Sequence, residues 1–440
     1  MEMLKSSPYY KGILSDYVDI NPKTDCKGLS NSSVVSFVPM PNVREKTNIV
    51  TYDLVPYELV KKGFTVFQKH DLIWAKITPC MQNGKSCIVD DMPTEIGFGS
   101  TEFHVIRNRD KRVYMPFLWA VLSNDNVLKA AQAVFNGSAG QQRVSSSFLE
   151  RFPAVIPEKN IQEKLVLQLE EKLCALHKKK NKANELLLAL PDIIMNILGL
   201  AFDYKSASLI YAIRKSDILE RVDAGFYSPK FVSFRRQIEN GKYPAVSIGS
   251  IASSITTGFA AGKQDQADEL PDEERVTQLR PFSITPEGEL SFETQKYVPK
   301  NRVKNSDYCQ KYEVIFNNTN SPDLVGKTTV FDSDVLCTTS NHMTRITVKD
   351  GVNPYYVSYF FNLLLSIGYW KLLCTNFNNQ AGVNIETLKS VKIPLPDIET
   401  QNAIVAKIMG RRSEANRLRK EAEQEWREAK KQFEKELLGE

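Results

Sequence analysis

"NGSAGQQRVSSSFLERFPAVIPEKNIQEKL", from Asn136 to Leu165, joins a small amide-rich loop to two prolines and the start of a helical stretch. "NNQAGVNIETLKSVKIPLPDIETQNAI", from Asn378 to Ile404, has the same grammar. Pro157 precedes Gln162 by five residues, as Pro396 precedes Gln401, and Ala139-Gly140 matches Ala381-Gly382. Upstream, "DLIWAKITPCMQNGKSCIV" (71–89) lies over "EVIFNNTNSPDLVGKTTVF" (313–331). In both, an acid (Asp71 or Glu313) stands thirteen residues before a Gly-Lys. "ILSDYVDI" (13–20) echoes "IGSIASSI" (248–255). A period of about 240 residues is too long for a solenoid and reads as two tandem copies of one domain.

Each copy ends in a helix-forming stretch. After Pro157, apolar or small residues stand at 161, 165, 169, 173, 176, 183, 187 and 190; after Pro396 they stand at 404, 408, 415, 418, 422, 426, 429, 433 and 437. These steps of three, four or seven are helical and near-heptad intervals. Residues 397–440 hold 10 acids and 10 bases, the composition of a long helix with solvated flanks paired along one seam. Pro191 predicts that the first helix ends near Leu190, because proline cannot continue the backbone ladder. Between the helices, "DLIWAKI", "SCIVDD", "FHVIR", "EVIFNN", "TTVF" and "TRITV" are strand-like, separated by Gly, Asn and Pro turns. Residues 115–135 and 354–373 read as amphipathic helices inside the domains.

With 42% hydrophobic and 25% charged residues in a chain of 440, the composition is that of an ordinary globular protein of two or three domains. A net charge of +5 permits a nucleic-acid partner without demanding one. The seven cysteines contain no Cys-x-x-Cys pair, which argues for reduced thiols in a cytoplasmic protein. The N-terminus has no apolar run of a signal peptide, and "LPDIIMNILGLAF" (190–202) is too short to span a bilayer.

Catalytic constellations are not apparent. The four histidines (70, 104, 177 and 342) lack partners at triad or metal-site spacing, so structural or surface roles are the better reading. "NPYY" (353–356) faintly resembles the Asn-Pro-Pro-Tyr loop of amino-methyltransferases but opens an apolar helix, where core packing is favoured. "SPDLVGK" (321–327) has the Pro-Asp of a nuclease motif without a following Glu-x-Lys, and a β-turn fits better. There is no Walker A loop.

"ITPCMQNGKSCIV" (77–89), "GSTEFHVIR" (99–107) and "GSAGQQRVSSSFLERFPAVIPEKNIQEKLV" (137–166) resemble segments of the specificity subunit of type I restriction-modification enzymes. "RVDAGFYSP" (221–229), "TSNHMTRI" (339–346) and "IPLPDIETQNAIVAKI" (393–408) add to the resemblance, which covers almost the whole chain. It implies an α+β architecture of two tandem mixed α/β target-recognition domains, related by the internal repeat and separated by two long antiparallel coiled-coil helices. The boundaries expected are 1–157 for the first domain, 158–202 for a central helical spacer, 203–396 for the second domain and 397–440 for a C-terminal spacer. The resemblance further implies a non-catalytic reader of a split, asymmetric DNA site. Its partners would be double-stranded DNA, two methyltransferase subunits and restriction subunits. It would carry no cofactor of its own, with S-adenosylmethionine, ATP and Mg on the partner chains.

Asn and Gln match adenine, and Arg and Lys match guanine, in the major groove. The loops of the first copy offer Lys76, Thr78, Gln82, Asn83, Lys85, Gln141, Gln142 and Arg143. The second offers Lys263, Gln264, Asn317, Asn318, Asn320, Lys327, Asn378, Asn379, Gln380 and Asn384. Against this stands the bland reading that loop amides form turns and cap helices. Two rival functions remain: a stand-alone sequence-specific DNA-binding regulator, and a divergent methyltransferase that binds S-adenosylmethionine unaided.

Overall fold

The computed structural model describes residues 2–137, 141–205, 210–213, 218, 223–265, 267–377 and 380–440. Two compact units emerge: Met1–Lys180 with Lys420–Glu440, and Asn181–Arg419. The division falls inside both long helices, Lys159–Leu188 and Ile398–Leu438.

In the first unit an antiparallel sheet runs in the order Val18–Ile20, Phe103–Asn108, Leu72–Ala75, Ser86–Ile88. A second sheet runs Asp53–Pro56, Val34–Val38, Ile96–Gly99, Thr65–Gln68, with its middle pair parallel. Tyr10–Ile13 pairs with Pro153–Val155. All four residues of Leu72–Ala75 are buried, because successive side chains on a strand point to opposite faces and both faces are covered. Leu72 and Trp74 enter one core, with the helices; Ile73 and Ala75 enter another, beneath the second sheet.

The second unit, taken by itself, has Ala252–Thr257, Met343–Val348, Val314–Asn317 and Thr328–Val330 in one antiparallel sheet. Tyr297–Pro299, Arg275–Leu279 and Cys337–Thr339 form another, the last two strands parallel. Ala245–Ser247 pairs with Lys392–Pro394. Here Val314 and Phe316 face the large helix-covered core while Ile315 faces a smaller one. The six strand-like runs read from the sequence all contain strands.

The acid that precedes each Gly-Lys has a structural task. Asp71 accepts the Gln68 amide at 2.8 Å and takes both Nε and Nη2 of Arg107, at 2.8 and 2.7 Å, from the adjacent strand. Glu313 accepts the Gln310 amide at 2.9 Å and lies 3.6 Å from Arg345. The glycines close the turns that follow: Gly84 has φ +70° and Gly326 φ +98°. At Gly326 a Cβ would stand 2.1 Å from the Trp370 ring, so a side chain is excluded twice over.

The long helices are held by a repeated device. The side chain of Gln162, with no exposed surface, donates to the carbonyls of Arg112 and Pro157 and accepts the Tyr114 amide. Gln401 donates to Gly351 and Pro396 and accepts the Asn353 amide. Along the helices, Leu165 and Val166 share the first unit's core with Phe433 and Leu437, and Lys179 donates to Glu425 at 2.6 Å. Within the second unit, Ala183 and Leu186 pack with Ala415. The first long helix ends at Leu188, and a further helix, Leu190–Leu198, takes Pro191 in its first turn, where the missing N–H costs nothing.

Two helical readings are corrected. Residues 115–135 form two helices, Met115–Leu122 and Asp125–Gln132, because Asn124 caps the second by accepting the Asn126 amide. Residues 354–373 likewise split into Pro354–Ser366 and Tyr369–Leu373 at Gly368, whose φ of +75° leaves the helical region. Asn353 caps the first of these, and the Tyr356 hydroxyl donates to the Pro394 carbonyl, so the last tyrosine of "NPYY" is packed in the core. "SPDLVGK" is a turn closed by Leu324 N–H to Ser321 O at 2.9 Å. His70 meets Asp90 on the surface at 2.7 Å. His104 stacks on Trp74, its Nε2 lies 2.9 Å from the Val144 carbonyl, and burial pushes its pKa down. Among the described residues, no helix is long and apolar enough to cross a membrane.

Replacing Arg107 by Met strands the Asp71 carboxylate, whose side chain is 1% exposed. Breaking a buried pair in this way costs about 3–5 kcal/mol. Urea unfolding followed by tryptophan fluorescence should show that loss, and the double variant Asp71→Leu, Arg107→Met should recover much of it.

Candidate nucleic-acid interface

In the first unit two loops named from the sequence come together. Ile77 bridges Arg143, the Thr78 amide donates to the Gln142 carbonyl at 3.0 Å, and the Val144 amide donates to the Lys76 carbonyl at 2.9 Å. This pairing gathers Lys76, Thr78, Gln82, Gln142 and Arg143, with the Thr78 hydroxyl bonded to the Gln82 amide oxygen. Gln141 is exposed. Arg143 spends its fork on Glu102, two bonds of 2.8 Å each, and these hold the Glu102 carboxyl below the usual carboxylate range. Its guanidinium therefore orders the loop. Asn83 turns to Glu45 at 2.8 Å, and Lys85 to the Met40 carbonyl at 3.2 Å.

In the second unit, Thr319–Asn320 pairs with Gln380–Gly382, which sets Asn320 opposite Ala381, beside Gln380, and leaves Asn384 toward the other end of the pairing. Asn318 is buried beneath them, its amide nitrogen 2.8 Å from the Thr344 hydroxyl, its oxygen accepting from Thr319. Asn384 caps the helix Ile385–Ser390 by accepting the Thr387 amide at 2.7 Å, the bland role open to any loop amide. Gln264 is exposed beside Lys263 in a single turn, Lys263–Asp265. Asn378 and Asn379 lie outside the described residues, as do Ala139 and Gly140.

Asn317 and Lys327 are corrected from surface readers to frame residues. Asn317 has no exposed surface and donates to the Leu324 carbonyl at 3.2 Å. Lys327 is 7% exposed and its ammonium donates to the carbonyls of Pro281 and Ile284, at 2.9 and 2.7 Å. Burial pushes its pKa down. Lys85 makes the matching bond in the first unit, so the Gly-Lys is a turn that pins a neighbouring loop.

Two concavities adjoin along residues 318–320. One, of about 500 Å³, is lined by Thr257, Asn318, Thr319, Thr344, Thr375 and Asn384. The other, of about 520 Å³, includes Gln278, Arg280, Phe282, Asn320, Asn341 and His342. Hydroxyls, amides, methyls and a guanidinium are the groups that meet base edges in a major groove. The threonines, Arg280, Asn341 and His342 were missed from the sequence. Threonines inside strands look like strand formers, and Arg280 stands at a strand end before a proline, outside the amide-rich loops.

Residues 216–425 match the family of the type I restriction modification DNA specificity domain. Over 191 residues the sequence is 30% identical to the type I restriction enzyme EcoAI specificity subunit of Escherichia coli, covering 43% of this chain and 32% of that one. It is 32% identical over 154 residues to the EcoEI specificity subunit of Escherichia coli, covering 35% and 26%. The match thus spans about a third or less of the length of these curated relatives. A solved structure described as the structural basis underlying complex assembly and conformational transition of the type I R-M system covers 98% of both chains, with a TM-score of 0.59 at 16% identity. That likeness is one of fold.

Lys327→Met removes both bonds to the Pro281 and Ile284 carbonyls. We expect a loss of about 1.5–3 kcal/mol in urea unfolding, the worth of charge-assisted buried bonds. Asn320→Ala, at a half-buried rim position, should stay within about 0.5 kcal/mol of the unaltered chain.

Proposed function

We propose that this chain, whose residues 216–425 carry the type I restriction modification DNA specificity domain, is the DNA-recognition subunit of a type I restriction-modification complex. The observation that carries the reading is that this match falls on a unit whose loops gather amides, hydroxyls and an arginine into two adjoining concave surfaces. The chain acts without catalysing: methyl transfer and ATP-driven cleavage belong to methyltransferase and restriction subunits in the cytoplasm, which bring S-adenosylmethionine, ATP and Mg. Each of two tandem recognition domains reads one half of a split site. Phosphate contacts from surrounding lysines and arginines set register, and base-edge contacts set sequence.

The tandem reading is supported by the two strand orders, by the matched Asp71–Arg107 and Glu313–Arg345 pairs, and by the matched Gln162 and Gln401 bonds. An antiparallel seam between the long helices is supported by Leu165 beside Phe433 in one unit and Ala183 beside Ala415 in the other. These helices set the distance between half-sites.

Copurification tests the assignment. The tagged chain, expressed in cells holding its neighbouring genes, should recover a methyltransferase at two copies per chain and confer site-specific adenine methylation on DNA. Sequence-specific binding by a chain recovered alone would favour a stand-alone regulator. Methyl transfer by the chain alone would overturn the non-catalytic reading.

The spacer is tested by deleting Glu170–Leu173 from the first long helix. Four residues nearly complete a turn of about 3.6, so the seam survives while the arm shortens by about 6 Å. That is close to two base-pair steps of ~3.4 Å. Sequencing of methylated genomic DNA should show both half-sites intact and closer together. An unchanged gap would mean that the helices do not set the distance.

A further inference from the structure

Gln278 and Arg280 stand two residues apart at the end of the strand Arg275–Leu279, so their side chains share one face. Gln278 is 1% exposed, and both ends of its amide are used. Its nitrogen donates to the Phe259 carbonyl at 3.2 Å, and its oxygen accepts from Nε of Arg280 at 3.2 Å. The Arg280 amide donates to the Ser283 hydroxyl at 3.1 Å, which fixes the backbone beneath it. A half-buried guanidinium is thus gripped at Nε by a buried, doubly bonded amide.

The opposite edge is open. Among the described residues no hydrogen bond or ion pair engages Nη1 or Nη2 of Arg280. The acid within electrostatic reach, Asp268, is taken by Lys296 at 2.7 Å. Arg143, the arginine of the first unit's candidate loop, differs: it is closed on Glu102. Arg280 lines the second concavity with Asn320, Asn341, His342 and the exposed ring of Phe282.

We propose that Arg280 is the guanine-reading residue of the second recognition domain, held in reading position by Gln278. This inference rests on the function proposed above. A guanidinium pinned at Nε presents its Nη1–Nη2 edge as two parallel donors, the pattern that matches O6 and N7 of guanine. Gln278 is a positioning residue, because its amide is buried and already bonded at both its nitrogen and its oxygen.

The test is selection from randomised duplexes by the full chain copurified with its methyltransferase, repeated for Arg280→Ala and Arg280→Gln. The unaltered complex should enrich a site with a guanine in one half. Arg280→Ala should lose discrimination at that single position by about tenfold to hundredfold, the worth of one bidentate base contact. Arg280→Gln should prefer adenine there, since glutamine pairs with its N6 and N7. Every other position should keep its preference. Unchanged preference at all positions in both variants overturns the assignment. So does uniform weakening without altered preference, the mark of a phosphate contact, and so does loss of the native circular dichroism in both variants, the mark of a frame residue. If the unaltered complex enriches no sequence, the specificity reading itself falls and takes this one with it, a result seen without any substitution.

Discussion

Gln162 and Gln401 each bury a side-chain amide whose donors and acceptor all meet backbone groups. A primary amide out of water is tolerated only when its polar atoms are bonded, because each orphan costs about 1–3 kcal/mol. The bond to the proline carbonyl five residues back sets the first turn of each long helix. The bonds to Arg112–Tyr114 and Gly351–Asn353 tie that turn to the loop entering a core helix. This one side chain ties the start of each long helix to that loop.

The same economy governs the sheets. The strands Leu72–Ala75 and Val314–Asn317 are buried on both faces, so Leu72–Ala75 and Val314–Phe316 are continuous apolar runs whose alternate residues serve separate cores. Among the described residues a buried charge such as Asp71 has a partner, here Arg107. Lys327 obeys the same constraint with carbonyls in place of a carboxylate.

Strand runs such as "LIWA" and "VIF" were legible because burial on two faces makes them continuously apolar. The helix breaks at Asn124 and Gly368 were not, since one is a capping bond and the other a left-handed residue within otherwise periodic stretches. The acid and Gly-Lys spacing was visible, but its meaning was hidden: Lys85 and Lys327 look like loop cations until their carbonyl partners are seen. Asn317 misled for the same reason, its amide bond to Leu324 being a product of the turn. Arg280 escaped notice because what distinguishes it is an unspent edge, a property that exists only in three dimensions.

The partners of the two glutamines have a genetic consequence. Every group they bind is a main-chain carbonyl or amide, so the bond is indifferent to which side chains the bound loop carries. A crossover between unlike genes near the codons for Pro157 or Pro396 would deliver a foreign unit whose backbone, though not its sequence, fits the waiting amide.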